Sequence, residues 1–141
     1  MTGRRHGRGL QLDRPSTWLI WALSAVFVGI GFIFMFAPRA GAAIYGLAAP
    51  PETGPAYLIA IGLRDLAFGL YLFTLSRYAS RRALGLILGI TVLIPVGDVL
   101  IVSAQRGLEA WGHLLLHAGS GAVMAGASAW LLTQATRYDG E

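Results

Sequence analysis

Four long apolar runs constrain the fold of this chain more than any other feature. They cover about residues 17–37, 56–76, 83–103 and 111–133. A helix of about 20 residues rises about 30 Å, which matches the hydrocarbon thickness of a bilayer. The chain is 55% hydrophobic and 13% charged, unlike a typical soluble domain. We therefore predict an all-α fold, an integral membrane four-helix bundle, over residues 17–133.

The distribution of arginines predicts the orientation of the bundle. Residues 1–16 form a basic tail, residues 134–141 form a second tail, and the loop between the second and third runs is also basic. The arginines on this side are Arg4, Arg5, Arg8, Arg14, Arg77, Arg81, Arg82 and Arg137. The opposite side carries Arg39 and Arg106. By the positive-inside rule both termini are cytoplasmic, and we expect a multi-pass protein of the cell membrane.

The second run contains two charged residues, Arg64 and Asp65, near its middle. A charge at the centre of a membrane helix costs about 2.5 to 3.5 kcal/mol on insertion scales, so both side chains should face the bundle. Consecutive helical residues point about 100° apart. We therefore expect Arg64 and Asp65 to reach different neighbours, with Asp98 of the third run as the partner of Arg64.

The third and fourth runs bring further polar side chains to a similar depth in the predicted outer half. Pro95 removes a backbone donor and predicts a kink, and Asp98 lies just beyond it. His113 and His117 are four residues apart, so they share one face of the fourth helix. Met124 continues this face deeper into the bundle.

These residues suggest acid/base chemistry in an apolar pocket. If Arg64 pairs with Asp98, Asp65 is free to accept a hydrogen bond from His113 or His117. A carboxylate beside an imidazole in an apolar pocket is typical of acid/base sites. Our hypothesis is an isomerase, a cyclase or an epoxide-opening enzyme that uses no cofactor. Asp65 or Asp98 would be the acid, His117 the base or positioning group, and Arg64 would hold anionic charge.

The substrate of such an enzyme would be a small lipophilic molecule taken from the bilayer. The connection 38–55 is too apolar for a solvated loop, and we expect part of it to cover the pocket. The predicted substrate-binding residues are His113, Tyr45, Tyr57, Phe36 and Met124.

Other interpretations stay open. The intramembrane cluster could be a structural lock in a non-enzymatic protein, or part of a proton or ion pathway. His113 and His117 could together ligate a divalent metal, with a carboxylate as third ligand, or one of them could bind haem. The arginines form no patch with aromatics outside the N-terminal tail, so we expect no nucleic-acid partner. A homo-oligomer is possible.

Several short motifs resemble those of a known family. They are Ala37-Pro38-Arg39, Tyr45-Gly46, Gly62-Leu63-Arg64-Asp65, Arg81-Arg82-Ala83-Leu84-Gly85, Ile94-Pro95-Val96-Gly97-Asp98 and the histidine of the fourth run. They resemble the small four-helix integral membrane proteins of bacteria and fungi that form a domain family of unknown function. The likeness covers roughly residues 32–132. It implies the fold and points to Arg64, Asp65, Asp98 and His117 as the polar positions, but it supplies no reaction.

Overall fold

The structure, a computed structural model, describes residues 14–47 and 55–139. This part of the chain contains helices and connecting turns and no strand, which confirms the all-α prediction. The helices are α1 (Arg14–Phe36), α2 (Pro38–Tyr45), α3 (Ala56–Tyr78), α4 (Arg81–Thr91), α5 (Leu93–Arg106) and α6 (Trp111–Asp139), with a 3₁₀ turn (Leu108–Ala110) before α6.

Four segments of the described chain are long and apolar enough to cross a membrane. They are Pro15–Phe36, Ala56–Tyr78, Arg81–Arg106 and Leu108–Thr136. The prediction of a four-span membrane bundle is therefore confirmed, and the helices extend a few residues past most of the predicted ends. Residues 1–13 and 140–141 of the two tails lie outside the described residues. The cytoplasmic placement of both termini stays a prediction.

The third span is broken into two helices at Val92, three residues before the proline that predicted a kink. Val92 N contacts two carbonyl oxygens, those of Leu88 at 3.2 Å and Gly89 at 3.3 Å, as at a frayed helix end. Pro95 is the third residue of α5, and its missing N–H leaves the carbonyl of Thr91 without a helical donor. Asp98 lies on α5, beyond this break.

Close backbone contact joins α1 to α3. A Cβ atom added to Gly31 would lie 2.8 Å from Gly62 O, and one added to Gly62 would lie 2.7 Å from Gly31 O. Nearby, the hydroxyl of Ser24 donates to Gly69 O at 2.6 Å. Small residues and hydroxyl donors are what apolar helices use to associate within a bilayer. This pair of helices forms one wall of the bundle.

The second wall is formed by α6 with α4 and α5. Ser128 Oγ of α6 donates to Gly85 O of α4 at 2.7 Å, as Ser24 does between α1 and α3. The two walls meet in a core away from α2. Its buried members are Ile20, Leu72, Leu84, Leu88, Met124, Ala127 and Leu131.

Helix α2 lies at the opposite end of the bundle from this core. Pro38 begins it and Gly46, at φ +95°, ends it. A separate small cluster of buried Phe34, Ala42 and Leu58 fixes α2 against α1 and α3. The described half of the connection 38–55 is thus a short helix at the end of the four spans, next to the polar residues.

Candidate functional site

An apolar cavity of about 360 Å³ lies between the spans, below α2. We call it the bundle cavity. The charged and hydrogen-bonding side chains that line it include Tyr45, Arg64, Asp65, Asp98 and His117. Most of the remaining wall is hydrocarbon, with Phe27, Phe34 and Met124 among its members. All four predicted catalytic side chains therefore line one cavity, although their pairing differs from the prediction.

Tyr45, Asp98 and His117 form a closed triangle that joins α2, α5 and α6. Tyr45 OH donates to Asp98 Oδ1 at 2.7 Å, and His117 Nδ1 lies 3.7 Å from Asp98 Oδ2. His117 Nε2 is 2.9 Å from the backbone oxygen of Tyr45. The two rings also meet edge to face, with centroids 5.0 Å apart. Each member of the triangle contacts both others.

The backbone contact of His117 fixes where its hydrogens are. A carbonyl oxygen can only accept, so Nε2 must carry the hydrogen. Nδ1 then either carries a second hydrogen or turns a lone pair toward the carboxyl of Asp98. The 3.7 Å between Nδ1 and Oδ2 is longer than a direct hydrogen bond, so the two groups lie close together without a described hydrogen bond between them.

The Tyr45 hydroxyl stays protonated, and therefore a hydrogen-bond donor, over the whole physiological pH range. Burial raises the pKa of Tyr45 above its ordinary value of 10.0, and the hydrogen bond to Asp98 and the charge on Asp98 raise it further. The neutral phenol is thereby favoured over the phenolate. Oδ1 of Asp98 therefore accepts the hydrogen bond from Tyr45, and Oδ2 lies close to His117.

The predicted cross-helix pair between Arg64 and Asp98 is wrong. Arg64 Nε and Nη2 both donate to Asp65 Oδ1, at 3.0 Å and 2.9 Å. The expectation that consecutive residues cannot pair considered only the directions of their Cβ atoms. The long arginine side chain bends around the helix and reaches its neighbour. The side chain of Arg64 is 49% exposed, whereas that of Asp65 is 11% exposed.

The predicted bond from Asp65 to a histidine is also wrong, because the ring nitrogens of His113 and His117 meet other groups. Within the described residues, the hydrogen bonds to Asp65 end on Oδ1. Every fully buried side-chain nitrogen or oxygen in this part of the chain has a hydrogen-bond partner. Oδ2 of Asp65 has no described hydrogen bond, so it is not fully buried and is accessible from the bundle cavity that Asp65 lines.

His113 lies one turn from His117, as predicted, but it does not line the bundle cavity. Its Nε2 is 3.0 Å from Ala43 O, so the two imidazoles contact two carbonyls of α2. A Cβ atom on Gly46 would lie 2.7 Å from His113 Cγ. The end of α2 rests directly on the two imidazoles.

This arrangement does not fit the alternative of a metal shared by the two histidines. Nε2 of His113 and Nε2 of His117 each contact a backbone oxygen of α2, and a shared ion would have to displace both contacts. Over residues 14–47 and 55–139 there is no group of three or more His, Asp or Glu side chains placed to hold an ion. The same contacts occupy the nitrogen that would bind haem iron.

The predicted substrate-binding residues divide between two surfaces. Tyr45 and Met124 line the bundle cavity. His113 and Tyr57 instead line an open depression at the end of the spans, on the other side of α2. Nothing in the sequence indicated that α2 would separate His113 and Tyr57 from Tyr45 and Met124.

Phe36, a predicted substrate-binding residue, does not line the bundle cavity. Its side chain is 77% exposed and stacks on Phe32, with ring centroids 5.8 Å apart. Phe34 lines the bundle cavity in its place. Two residues along a helix change direction by about 200°, so Phe34 and Phe36 cannot face the same side. The burial of Phe34 beneath Gly41 of α2 was not visible in the apolar pattern of α1.

Comparison with known proteins gives a family. A search of the curated proteins and a search of the solved structures found no match. One family, described as a domain of unknown function (DUF4267), matches residues 24–131. This range takes in all the residues of the triangle, both members of the Arg64 and Asp65 pair, and the helix α2 that covers them. The match confirms the resemblance found in the short motifs, and the chain belongs to the DUF4267 family.

Proposed function

We propose that this protein is an acid/base enzyme of the cell membrane that acts on a small lipophilic molecule in the bundle cavity. The observation that supports this most is that two carboxylates from different helices, Asp65 and Asp98, line one apolar cavity in different surroundings. Pairs of acidic groups in unlike environments are how enzymes obtain an acid and a base at one pH. A volume of about 360 Å³ is within the range of small-molecule sites.

Asp65 is the proton acceptor in this proposal. The guanidinium of Arg64 at 2.9 Å is a counter-charge for its carboxylate, and Oδ2 of Asp65 is left without a described hydrogen bond. Arg64 touches only one of the two carboxylate oxygens, so it orients the carboxylate and leaves the other oxygen for the substrate. The half-exposed guanidinium also supplies positive charge to an oxygen of the substrate that becomes negative during proton removal.

The Asp98 and His117 pair is the proton donor. In this proposal one of its two groups carries a proton, and Tyr45 keeps Asp98 in place through the 2.7 Å hydrogen bond. A proton leaves one atom of the substrate for Asp65, and another atom receives a proton from the pair. The two transfers balance when the protein then returns the proton from Asp65 to the pair. Isomerisation or cyclisation by proton transfer at carbon would need no co-reactant, and these are the reactions that we propose.

A second function is favoured by a separate observation. The triangle ties α2 to α5 and α6 and would stabilise the bundle whether or not a reaction occurs. A non-enzymatic protein would use Tyr45, Asp98 and His117 as a polar lock. It would have no use for the accessible oxygen of Asp65, so Asp65 distinguishes the two functions.

The test is transfer of solvent deuterium. Purified protein in liposomes is incubated in heavy water with the lipid-soluble extract of the host cells, and apolar molecules are analysed by mass spectrometry after back-exchange in ordinary water. The wild type should place stable deuterium on carbon in at least one molecule, because the hydrogen that the pair donates to carbon comes from a group that exchanges with solvent.

Two matched variants show whether the incorporation depends on Asp65. Asp65→Asn should abolish the incorporation, whereas Glu109→Gln, the same chemical change at an exposed carboxylate of the 3₁₀ turn, should leave it intact. No incorporation by the wild type, or equal incorporation by wild type and Asp65→Asn, would contradict the proposal.

A further inference from the structure

The open depression beyond α2 has properties that the bundle cavity does not share. We call it the surface cleft. It has a volume of about 1130 Å³, and its lining includes Arg39, Arg106, His113, Gln105, Tyr57 and Leu47. The bundle cavity offers one arginine beside its own carboxylate. The surface cleft offers two arginines, and none of its described lining residues is acidic.

These two arginines come from distant parts of the chain. Arg39 is in the first turn of α2, and Arg106 is the last residue of α5. They are also the two arginines that the sequence assigns to the poorly charged side of the membrane. In the described part of the chain neither of them forms a salt bridge. Two cations that meet in one cleft without a described counter-charge favour an anionic ligand.

Arg106 is held in a position to bind such a ligand. Its Nη1 donates to Gly46 O at 2.9 Å, which fixes the guanidinium against the end of α2. A guanidinium has five N–H donors, so most of them are left for another acceptor. His113 is fixed in the same way, through Nε2 and Ala43 O. Contacts with α2 therefore hold both Arg106 and His113 in place at the cleft.

The position of the cleft indicates where the anion comes from. Tyr57 lies at the start of the second span and Arg106 at the end of the third, which is the level of lipid head groups. Apolar Leu47 and Ile101 line the cleft together with the arginines, and the side chain of Ile101 is 47% exposed. A ligand with an anionic group and a hydrocarbon chain would satisfy both kinds of wall.

We propose that the surface cleft binds the head group of an anionic phospholipid, with its phosphate between Arg39 and Arg106. The lipid contacts α2 from the outside, and the bundle cavity lies on the inner side of the same helix. This binding site does not depend on catalysis in the bundle cavity, and it is tested by a measurement that involves no reaction.

The experiment measures retained lipid by native mass spectrometry of the protein in mild detergent. Phosphatidylglycerol and phosphatidylcholine with identical acyl chains are titrated in parallel. The wild type should retain phosphatidylglycerol in preference to phosphatidylcholine. Arg39→Gln should weaken the retention of phosphatidylglycerol about fivefold, the contribution expected of one arginine near a membrane surface.

The control is Arg82→Gln, because Arg82 is an exposed arginine at the opposite end of the bundle, at the start of α4. It should retain phosphatidylglycerol as the wild type does. Arg106→Gln should also weaken retention, but this variant loses the hydrogen bond to Gly46 O as well as the charge. Arg39 is exposed and makes no such contact, so Arg39→Gln decides the result.

Three outcomes would overturn the proposal. Equal retention of the two lipids would show that the cleft does not select an anion. Equal loss in Arg39→Gln and Arg82→Gln would show only a general effect of charge. Displacement of phosphatidylglycerol by millimolar inorganic phosphate would show a site for the free anion instead of a lipid.

Discussion

The two acidic groups of the bundle cavity differ in how they are attached to the rest of the molecule. Asp98 contacts Tyr45 and His117, which belong to two other helices. Asp65 pairs with Arg64 of its own helix and makes no described hydrogen bond to another helix. The first carboxylate is therefore part of what holds the bundle closed, whereas the second can change its proton without loosening any contact between helices.

This difference teaches that burial alone does not assign a role to an intramembrane carboxylate. Both are poorly exposed, with side chains 17% accessible for Asp98 and 11% for Asp65. Their partners separate them, because a contact between helices stabilises the fold and a contact within a helix orients a group. Stability measurements on matched variants should therefore rank the two sites differently from activity measurements.

The largest expected effect on stability is that of Asp98→Ala. The change leaves the Tyr45 hydroxyl without its acceptor and His117 without its counter-group, and such a loss costs about 3 kcal/mol or more in a buried site. The free energy of unfolding can be measured in mixed micelles of mild detergent and dodecyl sulfate. Glu109→Ala, at an exposed position, should change it by less than about 0.5 kcal/mol. If both variants unfold alike, Asp98 is not part of a lock.

Tyr45→Phe should have the next largest effect. It removes one hydrogen bond to a carboxyl, worth about 1.5 to 3 kcal/mol, and the half-buried position of Tyr45 places the loss near the lower value. The measurement is the same unfolding experiment at pH 7. An unchanged free energy of unfolding would mean that water replaces the phenol at no cost.

The same hydrogen bond predicts a loss of stability in alkali. The pKa of Tyr45 is raised in the folded protein above its ordinary value of 10.0. The contribution of a group with a raised pKa is complete below the unfolded value and is lost as the pH increases toward the folded value. The difference in stability between wild type and Tyr45→Phe should be constant from pH 8 to pH 10 and should shrink above pH 10. A difference that stays constant or grows above pH 10 would contradict the raised pKa.

A smaller effect is expected of Gly46→Ala, which tests the attachment of α2 itself. Gly46 has φ +95°, where a side chain costs about 1 to 2 kcal/mol, and its Cβ would press on the ring of His113. Gly119→Ala is the matched control, since a Cβ there meets nothing within 4 Å. It should be neutral or slightly stabilising in the middle of α6. Equal stability of the two variants would show that α2 is not seated on His113.

The sequence was sufficient to predict the four spans and the convergence of the polar residues, for general physical reasons. Apolar runs of membrane length admit few structures other than helices. A charge in a span must face the bundle, so Asp65, Asp98 and His117 had to meet at a shared depth once the four spans were assigned. Depth follows from counting residues, and counting does not require knowledge of side-chain packing.

The pairing within the site could not be predicted, because it depends on rotation and reach. Arg64 reaches around its own helix to Asp65, and Phe34, in place of Phe36, is buried against Gly41 of α2. The sequence of the connection 38–55 contains no signal that His113 and His117 would contact two carbonyl oxygens of α2. Without α2, the surface cleft and the bundle cavity could not be recognised as separate sites.

A small stability change and the largest activity change are expected in one variant, and measuring both in that variant tests the account most directly. In Asp65→Asn the amide keeps an oxygen acceptor for half-exposed Arg64, so the free energy of unfolding should stay within about 1 kcal/mol of the wild type. The same preparation should transfer no solvent deuterium to the lipophilic molecule. A folded Asp65→Asn protein that incorporates deuterium at the wild-type rate would contradict the assignment of Asp65 as the proton acceptor of this membrane bundle.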